Sequence, residues 1–95
     1  MTIQKNEILI DEKPLRYRFT STEEQIVKKL VLTPNEVVSY YDLADVIWKD
    51  DPDAFSLWAL SRMIYKIRNK LWKNELNPNM ITNIRGKGYC YIPNP

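Results

Sequence analysis

The spacing of apolar positions changes repeatedly along this chain, and each change marks an element. Glu7–Ile10 and Leu15–Phe19 read as two short strands around an Asp11-Glu12-Lys13-Pro14 turn, with Leu15, Tyr17 and Phe19 alternating against Arg16 and Arg18. Thr20 followed by Glu23 has the form of a capping box and predicts a helix start. Ile26, Val27, Leu30 and Val31 then fall on one helical face, and the helix is expected to run over about residues 21–33. Pro34 and Asn35 end it, because the residue before a proline avoids helical angles.

A brief Thr33–Val38 connection leads to Ser39 and a second helix over about residues 40–49, with Leu43, Val46 and Ile47 facing inward. Asp50–Phe55 reads as an acidic loop, and Ser56 is placed to cap a third helix, Leu57–Lys73. After a turn-rich connector, Asn74–Asn79, residues 80–92 form a terminal hairpin. Its strands are Ile81–Arg85 and Tyr89–Ile92, joined by Gly86-Lys87-Gly88. The class is α+β in a single domain, residues 1–95: short antiparallel strands, three helices, a C-terminal hairpin.

The third helix is strongly two-sided. With Ile64 as reference, Leu57, Leu60, Ile67 and Leu71 lie within about 60° of it, a clean core stripe. The opposite face carries Trp58, Arg62, Lys66, Asn69 and Lys73, with Tyr65 on its shoulder. A solvated helix usually sets Glu four residues from Lys or Arg; this helix contains no acid at all. Arg68 falls near the core stripe, which favours a structural ion pair or a phosphate contact over base reading.

Charge sharpens that picture. From Leu57 onward seven Lys/Arg face one acid, net +6, whereas residues 1–56 carry seven against eleven, net −4. The overall +2 hides this asymmetry, which suggests a polyanion docked on one side. Catalytic parts are scarce. There is no His, the lone Cys90 cannot build a zinc site, and no nucleophile stands beside a base. Asp50, Asp51 and Asp53 lie in a Pro-containing loop without metal-site or acid/base spacing. The chain is therefore read as non-enzymatic, with no metal and no cofactor. A single Cys fits a reducing cytoplasm. No apolar run approaches the ~20 residues of a membrane span, and the start lacks signal-peptide blocks.

Double-stranded DNA suits the basic face. Arg and Lys reach guanine O6 and N7, and Asn pairs with adenine N6 and N7 in the major groove. The hairpin, with Arg85 and Lys87 projecting from a Gly-pinned turn, reads as a wing along the adjacent groove or backbone. Tyr89 either places its hydroxyl on a phosphate or packs the hairpin with Tyr91. An alternative is a protein-interaction module that uses Trp58, Tyr65 and Met63 as an aromatic anchor.

The motifs resemble the OmpR/PhoB-type winged-helix domain, the effector half of many bacterial response regulators of two-component systems. The resemblance covers about residues 15–92. It is carried by Thr20-x-x-Glu23, Val38-Ser39 leading to Leu43 and Ile47-Trp48, Lys66-Ile67-Arg68-Asn69-Lys70-Leu71, and Ile81-x-Asn83-Ile84-Arg85-Gly86-x-Gly88-Tyr89. It implies sequence-specific DNA binding in transcription regulation, with the third helix in the major groove. Groove readers would be Trp58, Arg62, Tyr65, Lys66 and Asn69; wing contacts Asn83, Arg85 and Tyr89; phosphate contacts Lys70, Lys73 and Lys87. It also implies that the Asp50–Phe55 loop can touch RNA polymerase; a tandem dimer on DNA is a further expectation, separate from the resemblance. Three departures stand out: Arg62 where the family places an apolar residue, Met63 where His is common, and Asn83 in place of the wing Thr. The N-terminal sheet is expected to be shorter than the family's four strands. No receiver domain is present in the sequence, as expected of a trimmed parent or of a regulator that works without one.

Overall fold

Thr20 starts the first helix in the way its pairing with Glu23 requires. Its Oγ1 accepts from the Glu23 amide at 3.2 Å, and its own amide donates to Glu23 Oε1 at 2.8 Å. A computed structural model of the chain describes residues 1–10 and 13–95. Helix α1 spans Ser21–Val31, α2 Tyr40–Ile47 and α3 Leu57–Lys73. Ser39 and Ser56 cap the latter two through the amides of Asp42 and Ala59. Two antiparallel sheets complete the chain. The first is β1 (Thr2–Gln4), β2 (Glu7–Ile10) and β3 (Lys13–Pro14) in that order; the second is β4 (Val37–Ser39), β6 (Gly88–Tyr91) and β5 (Ile81–Ile84), with β6 central.

Ile26, Val27 and Leu30 of α1, Leu43 of α2, and Leu60, Ile64, Ile67 and Leu71 of α3 are fully buried together with Ile81. Fully burying such a side chain contributes roughly 1.5–3 kcal/mol. Three helices with a hairpin after the third make this a winged helix-turn-helix.

The structure differs from the sequence reading in six places. Leu15–Phe19 is not a strand: Leu15 and Phe19 anchor in the core while the Asn74 side chain pairs with both backbone groups of Tyr17, at 3.0 and 2.9 Å. That amide satisfies the two Tyr17 backbone groups as a neighbouring strand would. Lys13–Pro14, expected in a turn, instead forms β3 at a sheet edge, where proline is tolerated; Asp11 and Glu12 of that turn lie outside the described residues. Strand β1 was not expected. Its turn to β2 sets Lys5 and Asn6 at φ 49° and 64°, the two left-handed positions of a type I′ hairpin, without the usual glycine. The 33–38 connection contains most of β4, which pairs Val37, Val38 and Ser39 with Cys90, Tyr89 and Gly88. Leu57 points along the core stripe yet is 56% exposed, at the first position of α3. In α2, Leu43 and Ala44 are the buried residues, and Val46 is only half-buried.

The two wing glycines have separate reasons. Gly86 sits at φ 76° in a turn closed by the Lys87 amide on the Ile84 carbonyl at 2.9 Å, the left-handed third position of a type II turn. Gly88 lies against β4: a Cβ there would stand 1.9 Å from the Val38 carbonyl oxygen and 2.9 Å from Ser39 Cα. Gly88→Ala is therefore expected to separate β6 from β4, lowering stability by about 3 kcal/mol or more. Gly86→Ala faces open space and is expected to cost only about 1–2 kcal/mol of backbone strain. Thermal unfolding of the two variants checks the order; equal losses would refute this account of Gly88.

Glu23 also ties α1 to α3. Its buried carboxylate takes the Lys70 ammonium in a salt bridge while still completing the cap. Burial pushes its pKa up, but the Lys70 hydrogen bond and charge and the Thr20 bonds outweigh burial and hold it below the ordinary 4.5. A lowered carboxyl pKa contributes stability that is complete above the unfolded value and lost as pH falls through the folded one. The melting temperature is thus expected to drop as pH falls below about 4.5. Glu23→Gln should remove that component and cost about 1–3 kcal/mol at pH 7; a titration curve unchanged by the substitution would contradict the assignment.

Candidate nucleic-acid interface

Burial of one stripe of α3 turns Trp58, Arg62, Tyr65, Lys66, Asn69 and Lys73 outward, and all six are exposed. The helix is 17 residues long, about 25 Å at 1.5 Å per residue, and acid-free throughout. Arg62 lies over the Trp58 indole, its Cζ 5.0 Å from the ring centroid. At an exposed site such a contact contributes about 0.5–1 kcal/mol, and here it also narrows the directions open to a long side chain. Between α3 and the start of α1 runs a groove lined by Thr20, Arg62, Lys66, Asn69, Lys70 and Lys73. Its acid, Glu23, is already paired with Lys70. A second, smaller recess joins Trp58 and Arg62 to Tyr65, Lys66 and Ser61.

Two of the expected contacts are placed otherwise. Lys70 is committed to Glu23 and largely covered, so its charge is neutralised within the fold. Tyr89 is 5% exposed, its ring edge-on to Tyr40 at 5.7 Å, so it takes the packing role and not the phosphate contact. Burial pushes the Tyr89 phenol up, with Ser61 of α3 beside its hydroxyl acting in the opposite direction. Arg68, set aside from base reading, donates Nε and Nη2 to the Ile81 carbonyl at 2.9 and 2.7 Å. It joins α3 to β5 and contacts a backbone oxygen, where an ion pair or phosphate had been expected.

On the wing, Arg85 and Lys87 are exposed at the β5–β6 turn and Asn83 is exposed on β5. Asn83 is not free-standing. Tyr40, the first residue of α2, donates its hydroxyl to Asn83 Oδ1 at 2.9 Å. Reading by sequence missed Tyr40, since its partner is 43 residues away and no spacing signals it. Trp72 was missed as well. It is exposed seven residues beyond Tyr65, itself seven beyond Trp58, so the three aromatics form one row along α3.

Asp50, Asp51 and Asp53 are exposed around a 3-10 turn at Pro52–Ala54, and Phe55 closes the loop by packing edge-on against Trp48 at 5.5 Å. Among the described residues, no cluster of His, Cys, Asp or Glu is arranged to hold a metal ion, and no helix is long and apolar enough to cross a membrane.

Known proteins share this fold. The DNA-binding domain of the response regulator AdeR, solved in complex with an intercistronic region, superposes with a TM-score of 0.72 at 23% identity, over 86% of this chain and 80% of that one. The C-terminal domain of the nisin resistance regulator NsrR, a lantibiotic response regulator, gives 0.68 at 22% identity, over 96% and 90%. Both agree in fold. The cholera toxin transcriptional activator of Vibrio cholerae serotype O1 (strain ATCC 39315 / El Tor Inaba N16961) is 29% identical over 75 residues, 79% of this chain. The chain spans about a quarter of that relative's length, 26%. Residues 13–91 match the family described as transcriptional regulatory protein, C terminal. With nearly all of its winged helix inside that match, the chain belongs to the family of C-terminal domains of transcriptional regulatory proteins.

Proposed function

We propose that this domain binds double-stranded DNA sequence-specifically, with α3 in the major groove and the β5–β6 wing on the adjacent groove or backbone. The observation that carries this reading is the exposed face of α3, where Arg62, Lys66, Asn69 and Lys73 stand without any acid on the helix. A major groove about 12 Å wide admits one helix, and these side chains match its acceptor and donor edges. Arg62 and Lys66 are the guanine readers and Asn69 the adenine reader, while Trp58 and Tyr65 supply apolar contact. Lys73, Arg85 and Lys87 hold phosphates. The same reading gives RNA polymerase the exposed acids of the Asp50–Phe55 loop and sets two copies in tandem on neighbouring half-sites. The row Trp58, Tyr65, Trp72 supports a second reading, a protein-binding face, which capture of a protein partner without duplex affinity would favour.

If Lys73, Arg85 and Lys87 each neutralise one phosphate, log K should fall against log salt with a slope of roughly −3. Arg62→Ala or Lys66→Ala should cost about 1–3 kcal/mol and relax preference at one base pair, whereas Arg85→Ala should weaken all sequences alike. Selection of bound duplexes from a random pool, followed by titration at several salt concentrations, reads all of these. Duplex binding that is undetectable or indifferent to salt would refute the proposal.

A further inference from the structure

Tyr40 is held from three directions. Its amide donates to the Lys87 carbonyl of the wing turn at 3.3 Å, and its ring meets Tyr89 edge-on, interplanar angle 79°. The preceding residue, Ser39, pairs with Gly88 in the sheet. The hydroxyl that results is placed by backbone and core, and it donates to Asn83 Oδ1 at 2.9 Å. Asn83 is exposed, and its Nδ2 has no hydrogen-bond partner among the described residues. A side-chain amide has one accepting oxygen and two N–H donors, so occupying the oxygen leaves a group that chiefly donates.

We propose that Tyr40 is a positioning residue that fixes the Asn83 amide so that the wing offers N–H donors to acceptor atoms of the duplex. The inference rests on the DNA-binding reading above and adds a specificity element to it. In the minor groove, A·T pairs show only acceptors, adenine N3 and thymine O2, whereas G·C adds the guanine amino donor. A fixed donor therefore favours A·T and meets a like group at G·C. Phosphate oxygens are acceptors too, but a contact to them carries no base preference. The oriented amide is the shared chemistry, and the duplex chosen for the test separates its two sources.

Tyr40→Phe keeps the ring against Tyr89 and removes only the O–H. Using the whole 95-residue chain and a duplex obtained by selection, fluorescence anisotropy would compare wild type, Tyr40→Phe, Asn83→Ala and the double variant. If the amide reads the minor groove, replacing the A·T pair under the wing by G·C weakens wild type roughly fivefold or more. Replacement by inosine·C, which lacks the amino group, does not. If it holds phosphate, a methylphosphonate at that position weakens wild type and leaves Asn83→Ala unaffected. In either case Tyr40→Phe loses the same effect, and the double variant loses no more than the single ones. Asn83→Ala alters an exposed side chain, so it keeps the comparison usable if Tyr40→Phe is unstable.

A readout without DNA isolates the positioning. The Asn83 side-chain NH2 resonances should be ordered in wild type and motionally averaged in Tyr40→Phe. Equal order in both, or additive losses in the double variant, overturns the proposal. A wild-type chain with an ordered Asn83 amide that binds no duplex overturns the DNA reading instead, and with it the donor role.

Discussion

The rotation of α3 about its own axis governs which of its side chains the domain presents outward. Leu60, Ile64, Ile67 and Leu71 are fully buried, so turning the helix by one residue, about 100°, would expose apolar surface and carry charge into the core. Arg68 adds a directional restraint by holding the Ile81 carbonyl with two donors, and Lys70 adds another through Glu23. Each of these cations is removed from the ligand face in fixing that face. What is left outward is a set whose members, Arg62, Lys66, Asn69 and Lys73, owe their direction to contacts made on the far side of the helix.

A second restraint acts on the wing. Strand β6 is buried along its whole length because it pairs with β5 on one side and β4 on the other, and the β4 contact is close enough to exclude a side chain at Gly88. The hairpin is thus the edge of a three-stranded sheet and not an isolated ribbon, which in water is marginally stable at best. Because β4 runs directly into α2, Tyr40 ties the start of that helix to the wing turn and to Asn83. Two surfaces distant in sequence are in this way presented together.

How much of this could be read without coordinates depends on the range of the forces involved. The Thr20/Glu23 box, the Ser39 and Ser56 caps, the bounds of α3 and the outward direction of its basic residues all follow from periodicity and contacts within one turn. They were legible. The extended look of Leu15–Phe19 was misleading, because alternation marks which residues are buried but not whether a neighbouring strand exists to pair with them. Leu57 shows the same limit on a helix: helical phase gives a direction, and only the packing partner decides whether that direction is inside.

By itself, then, the amino-acid order determined the helices, the two-sided α3, the charge asymmetry and the Gly-pinned turn, all products of local sterics and of spacing along one element. Only the tertiary structure decided which cations remain available. Lys66 and Lys70 look alike in sequence, yet one faces solvent and the other neutralises the buried carboxylate that caps α1. Tyr89 and Tyr40 exchanged importance for the same reason: burial took the first, and a hydrogen bond spanning 43 residues gave the second its place beside the wing. Such pairings are set by where the elements meet in space, which no spacing along the chain encodes.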